Sequence, residues 1–256
     1  MMQPLLKTVS QIHYPDSDGQ PMADNTKQFR WIVTIKENLE LLFADDPNVF
    51  VAGDLLWYPI EGDNTIRQAP DVMVAVGRPK GDRGSYKQWE EDNVSPQVMF
   101  EILSPGNRLR EMVKKLKFYD RYQVAEYYVY DPDDNELIGW QRGEQFEIIE
   151  EMSGWTSPLL GIRFEVTSET LEVYRPDGER FLGFTELARL RDQERQRAEI
   201  ERQRADQEYQ RADQEYQRAE IERQRAETAL TELEAERRRS EELAARLREM
   251  GIELEG

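Results

Sequence analysis

Two short segments, Ala69–Val76 and Gln97–Pro105, constrain the fold more than any other part of the chain. They read APDVMVAV and QVMFEILSP. Each is rich in β-branched or large apolar residues and bounded by Pro or Gly, which predicts strands. A strand with one solvated face alternates apolar and polar residues, whereas one covered on both faces is apolar throughout. The pair therefore predicts central strands of a layered sheet. Each segment also carries one carboxylate, Asp71 in the first and Glu101 in the second. A carboxylate in such surroundings is costly unless compensated. Two on neighbouring strands repel one another unless a cation lies between them. Asp71 and Glu101 are thus candidate ligands of a divalent metal.

Other metal and nucleophile chemistries are narrowed by what the chain lacks. It has no cysteine, which removes disulfides and thiolate sites. Its one histidine is His13, on which any His-based zinc site or catalytic triad must be built. His13 borders a polar arm over residues 1–25, broken by Pro4, Pro15, Gly19 and Pro21, and reads as an exposed loop residue. No apolar run approaches the roughly 20 residues that span a bilayer, and the N-terminus has no signal-peptide core, so a cytoplasmic protein is expected.

Residues 26–184 read as one domain. Asn25 or Thr26 is placed to cap a helix to about Phe43, with Phe29, Ile32, Val33, Ile35, Leu39 and Leu42 near a 3.6-residue period. Glu37 and Glu40 lie on or beside that stripe and are candidates to reach the acidic pair. Asn48–Pro59 predicts a strand with a bend at Gly53, and Asp54 is either a third acid near the site or a turn residue. The connection Gly77–Pro96 is long. Arg78, Lys80, Arg83 and Lys87, with Tyr86 and Trp89, make it either a surface for phosphate and base contact or a solvated loop. A helix follows over Arg108–Tyr122, then strands at Glu126–Asp131, Leu137–Trp140, Phe146–Ile149, Ile162–Val166 and Leu171–Tyr174.

From residue 185 to 256 the pattern changes. The unit Arg-Ala-Asp-Gln-Glu-Tyr-Gln occurs at 204–210 and again at 211–217, without Pro or Gly, which predicts one long helix. Ala205, Tyr209, Ala212, Tyr216 and Ala219 follow coiled-coil spacing, interrupted by Arg202 and Arg223 at seam positions. The tail predicts weak homo-oligomer formation or an exposed single helix carrying Glu–Arg pairs. Residues 189–256 hold 15 arginines and 19 acids, a net of −4 out of −18 for the chain. An acidic globular part argues against broad non-specific nucleic-acid binding but leaves room for a local basic patch.

Two strand carboxylates and a nearby lysine suit a hard cation such as Mg²⁺, often held by one or two carboxylates with water and substrate phosphate. Such a site is suited to hydrolysing a phosphodiester. Pro70-Asp71, then Glu101-Ile102-Leu103-Ser104-Pro105, the Lys114/Lys115 helix and Glu126–Pro132 resemble the bacterial restriction-endonuclease-like family of the PD-(D/E)XK nuclease superfamily. The resemblance covers roughly residues 10 to 180. It implies an α/β fold, a restriction-endonuclease-like mixed β-sheet core flanked by helices, here followed by the long C-terminal α-helix. It implies Mg²⁺ (or Mn²⁺) at Asp71, Glu101 and the backbone carbonyl of Ile102, and DNA as the substrate. The superfamily pattern places a lysine where this chain has Leu103. The resemblance moves that role to the following helix, where Lys115 is the nearest match and Lys114 the fallback. The alternative function is a binding or assembly module of nuclease fold that associates through its tail.

Overall fold

The computed structural model describes residues 12–17, 19, 22–106 and 109–249. It divides into two compact units between Leu187 and Ala188.

The first unit begins with α1 (Thr26–Leu42), whose Asn25 cap accepts hydrogen bonds from the backbone N–H groups of Lys27 and Gln28. It continues through β1 (Val49–Gly53), β2 (Trp57–Tyr58), β3 (Val72–Val76), β4 (Tyr86–Lys87) and β5 (Val98–Ile102). After α2 (Leu109–Arg121) come β6 (Glu126–Asp131), β7 (Glu136–Arg142), β8 (Phe146–Ile148), β9 (Arg163–Val166) and β10 (Leu171–Tyr174). Six strands form one sheet in the order β1-β3-β5-β6-β7-β8. The β5–β6 pair is parallel and the other pairs are antiparallel, so the sheet is mixed. The apolar segments that become β3 and β5 are adjacent inner strands, as their composition predicts. A parallel β2–β4 pair and an antiparallel β9–β10 pair stand apart from this sheet.

Alternation along the strands builds two cores. Val72, Val74, Val98, Phe100 and Ile102 pack with Ile32, Ile35 and Leu39 of α1. Phe50, Ala52, Met73, Ala75, Met99, Tyr127 and Val129 face the opposite way and pack with Tyr119 of α2. Fully burying one such large apolar side chain stabilises the fold by about 1.5–3 kcal/mol. At the start of β6 the buried Glu126 accepts hydrogen bonds from the Tyr128 and Ser157 hydroxyls and the Leu159 N–H. This ties the sheet to the segment preceding β9.

The single strand expected over Asn48–Pro59 is two. β1 stops at Gly53 because Asp54 takes a left-handed conformation, φ +48°, which a strand does not accommodate. The break lets Gly53 lie against the Asp71 carbonyl: a β-carbon there would come within 3.4 Å of that oxygen.

α3 (Phe184–Glu249) starts in the last residues of the first unit and, from Ala188, supplies the described structure of the second; the helix is 66 residues long and buries none of them. Pairs such as Arg223–Glu227 sit at i,i+4 and add a few tenths of a kcal/mol each. Among the described residues, no helix is long and apolar enough to cross a membrane.

Candidate active site on the helix α2 face of the sheet

The site follows from strand register. β3 and β5 pair Val72 with Phe100, Met73 with Met99 and Val74 with Val98. One further step sets Asp71, just ahead of β3, opposite Glu101. Both positions continue the sequence parity of Met73 and Met99, so both carboxylates belong to the α2 face of the sheet. One Asp71 carboxylate oxygen accepts the Ile102 backbone N–H at 2.6 Å. Glu101 is 2% exposed and engages both its oxygens. Oε2 accepts from Lys115 Nζ and Oε1 from the Tyr119 hydroxyl, each at 2.6 Å. Lys115 and Tyr119 are four residues apart on α2 and so share one helix face.

The electrostatics are unbalanced. Burial and the neighbouring Glu101 charge push the Asp71 carboxyl up to about 8, against the opposing pull of Lys115 and the Ile102 N–H; Asp54 adds to the rise. Burial pulls the Lys115 ammonium down, but Glu101 and Asp71 more than offset it, and its pKa is raised. One fixed cation thus faces two carboxylates, and Asp71 keeps its proton near neutral pH. Tyr127 packs its ring 4.9 Å from that of Tyr119. Burial first, then the Glu101 and Asp71 charges, raises its hydroxyl pKa, and that hydroxyl has no hydrogen-bond partner.

The Ile102 carbonyl accepts the Gln28 side-chain amide at 2.8 Å, which leaves one lone pair. Of the two lysines, Lys115 reaches Glu101, whereas Lys114 is exposed. Leu103 packs in the α2-side core. Asp54 lies near enough to influence Asp71. Glu37 and Glu40 do not join the pair. They belong to α1, on the other side of the sheet, and both bind Lys36. Among the described residues, no three His, Cys, Asp or Glu side chains converge as a metal-binding group. Tyr119, Tyr127 and Gln28 are contributors that the sequence reading did not name. Only Tyr119 carried a signal, its i+4 spacing from Lys115.

The basic connection after β3 is neither a solvated loop nor an open phosphate surface. Arg78 and Arg83 clamp Glu91 at 3.0 and 2.6 Å, and Arg78 also binds Asp92. Arg83 stacks over Phe50, Lys80 donates to the Phe43 carbonyl, and Lys87 pairs with Glu90. Tyr86 is fully buried, donating to the Val94 carbonyl, and Trp89 packs on Tyr14. His13 is exposed, as expected.

A crystal structure described as a putative nuclease belonging to DUF820, from Anabaena variabilis ATCC 29413, is 16% identical with a TM-score of 0.41. The match covers 54% of this chain and 74% of that one. No curated protein matches the chain. Residues 14–197 match the Uma2 family model, described as "Putative restriction endonuclease". With that model spanning well over half of its length, the chain belongs to this nuclease family.

Proposed function

We propose that the chain is a cytoplasmic, metal-dependent endonuclease that hydrolyses phosphodiester bonds of DNA. In this reading Asp71, Glu101 and the Ile102 carbonyl hold Mg²⁺ or Mn²⁺. The observation that carries it is the register-fixed opposition of two carboxylates, Glu101 buried and Asp71 half-buried, with Lys115 bound to Glu101. The donor set fits a hard cation, which takes one or two carboxylates and completes its shell with water and phosphate. Burial first and then the Glu101 charge favour a proton on Asp71, and a bound cation would take that proton's place.

When bound, the ion supplies an activated water and Lewis-acid stabilisation of the phosphoryl oxygens. The protein's own groups do the rest. Lys115 fixes Glu101 and presents an ammonium to a substrate phosphate, where it offsets developing charge. Tyr119 holds the second Glu101 oxygen, so that carboxylate keeps one orientation. Asp71 and Gln28 hold the two peptide groups that flank the Ile102 α-carbon, through its N–H and its carbonyl.

Titration calorimetry with Mg²⁺ and Mn²⁺, beside nicking of supercoiled plasmid, tests the reading. Asp71→Asn is expected to abolish metal binding and to slow nicking by about 100-fold or more while thermal unfolding stays cooperative. Undiminished nicking by that variant overturns it.

A second reading, assembly through the tail, is supported by Tyr209, Tyr216, Leu230 and Leu233, all exposed along α3. Light scattering of the full chain and of residues 1–187 tests it. A mass above one chain for the full protein and one chain for the shorter form supports assembly. One chain for both removes it.

A further inference from the structure

In the first unit, cations and carboxylates are mostly paired. Lys27, Lys36, Arg78, Arg83, Lys87, Lys115, Arg142, Arg163, Arg175 and Arg180 each hold a carboxylate. Lys80 is spent on carbonyls. Besides Lys80, the described cations of the first unit without a carboxylate partner are Arg30 and five others, and those five gather at one place. Arg110, Lys114, Lys117 and Arg121 follow i, i+4, i+7 and i+11 spacing on α2, which is a single helix stripe, and all four are exposed. Arg67 faces the end of that stripe across a groove of about 360 Å³, formed between the Thr65–Arg67 turn and Lys117, Phe118, Arg121 and Tyr122. Arg121 lies over the Tyr122 ring, and the buried Tyr122 hydroxyl has no partner. Of the acids on α2, Asp120 is neutralised by Arg142, and Glu111 lies one turn before Lys115.

Such segregation in an acidic protein has a physical meaning. A net charge of −18 repels polyanions at long range, so a nucleic acid can be held only where local cations are not already neutralised. The stripe extends over about 16 Å of helix axis, comparable to the rise of about five base steps. We infer that the outer face of α2 and the Arg67 groove form the track for a nucleic-acid phosphate backbone. The role of the track in cleavage rests on the nuclease reading; its binding of the backbone does not.

The test is fluorescence anisotropy of a labelled 20-base-pair DNA duplex with the full chain in EDTA, where the metal site makes no contribution. Wild type is expected to bind with a linear dependence of log Kd on log salt. Arg67→Ala/Lys117→Ala/Arg121→Ala is expected to weaken binding at least about 10-fold at about 100 mM salt and to reduce the salt slope by about 2.7, at about 0.9 per contact. Arg30→Ala is the control and leaves both unchanged. A labelled single-stranded RNA tells which nucleic acid supplies the backbone. No binding by wild type, or equal binding by the triple variant, overturns the track even if plasmid nicking remains dependent on Asp71. Conversely, loss of nicking in Asp71→Asn with duplex binding intact separates the two claims. Capture by phosphatidylserine vesicles without capture of either nucleic acid assigns the stripe to membranes and also overturns it.

Discussion

Two tyrosines one ring apart make the chemistry of the buried pair accessible at the level of single atoms. Tyr119 donates to Glu101, so Tyr119→Phe leaves a buried carboxylate oxygen without its donor. The expected cost is about 1–3 kcal/mol in urea unfolding. Tyr127 holds its hydroxyl buried and unpartnered, so Tyr127→Phe is expected to leave the unfolding midpoint unchanged or to raise it. A comparable loss in both variants contradicts this assignment of donors. Asp71 and Glu101 were legible in the sequence because a carboxylate in a continuous apolar run is anomalous. Gln28 was not, because a glutamine looks like surface, and Tyr119 was marked only by its spacing from Lys115, because a tyrosine on an amphipathic helix looks like core. Their roles exist only once β5 lies between α1 and α2.

At the level of elements, periodicity revealed α1 and α2, and apolar composition β6, to within a residue or two, whereas β5 ends at Ile102, three residues short of the expected Pro105. The letters Gly53-Asp54 marked a bend but not the full break after β1, because nothing in them states that Asp54 takes a positive φ. The sequence also left the character of the connection after β3 open, because four cations between glycines do not show that Glu91 collects two of them. That clamp has a pH signature. Burial raises the Glu91 pKa, but Arg83 and Arg78 more than offset this and the net shift is downward. In the unfolded chain a glutamate titrates near about 4.3. The clamp's stabilisation is therefore complete above that value and disappears as pH falls through the lower folded value. Urea midpoints measured between pH 3 and 7 should show this acid-side loss in wild type and a smaller one in Glu91→Gln. Glu91→Ala is expected to lower the urea midpoint at neutral pH, since it leaves Arg83 without its carboxylate and Arg78 with Asp92 alone.

Over the whole molecule, the stabilising cores and the repeat lie in different units. Every residue of both buried clusters precedes Leu187, and α3 buries nothing. Removal of residues 188–256 is therefore expected to take away much of the helical circular-dichroism signal while leaving the cooperative melting temperature within a few degrees; a large fall in that temperature would show that the tail supports the fold. The pairing of β3 with β5 has a broader consequence. Side chains alternate across a sheet, so a slip of one residue between these strands sends every buried group to the wrong layer. The site occupies the same ladder, and a slipped isomer would part Asp71 from Glu101 in the act of scrambling the valines. Assembly of the candidate site and core integrity are thus inherited together: a refolded sample can have a full complement of helix and strand, yet only its correctly threaded molecules bring the three charges into one place.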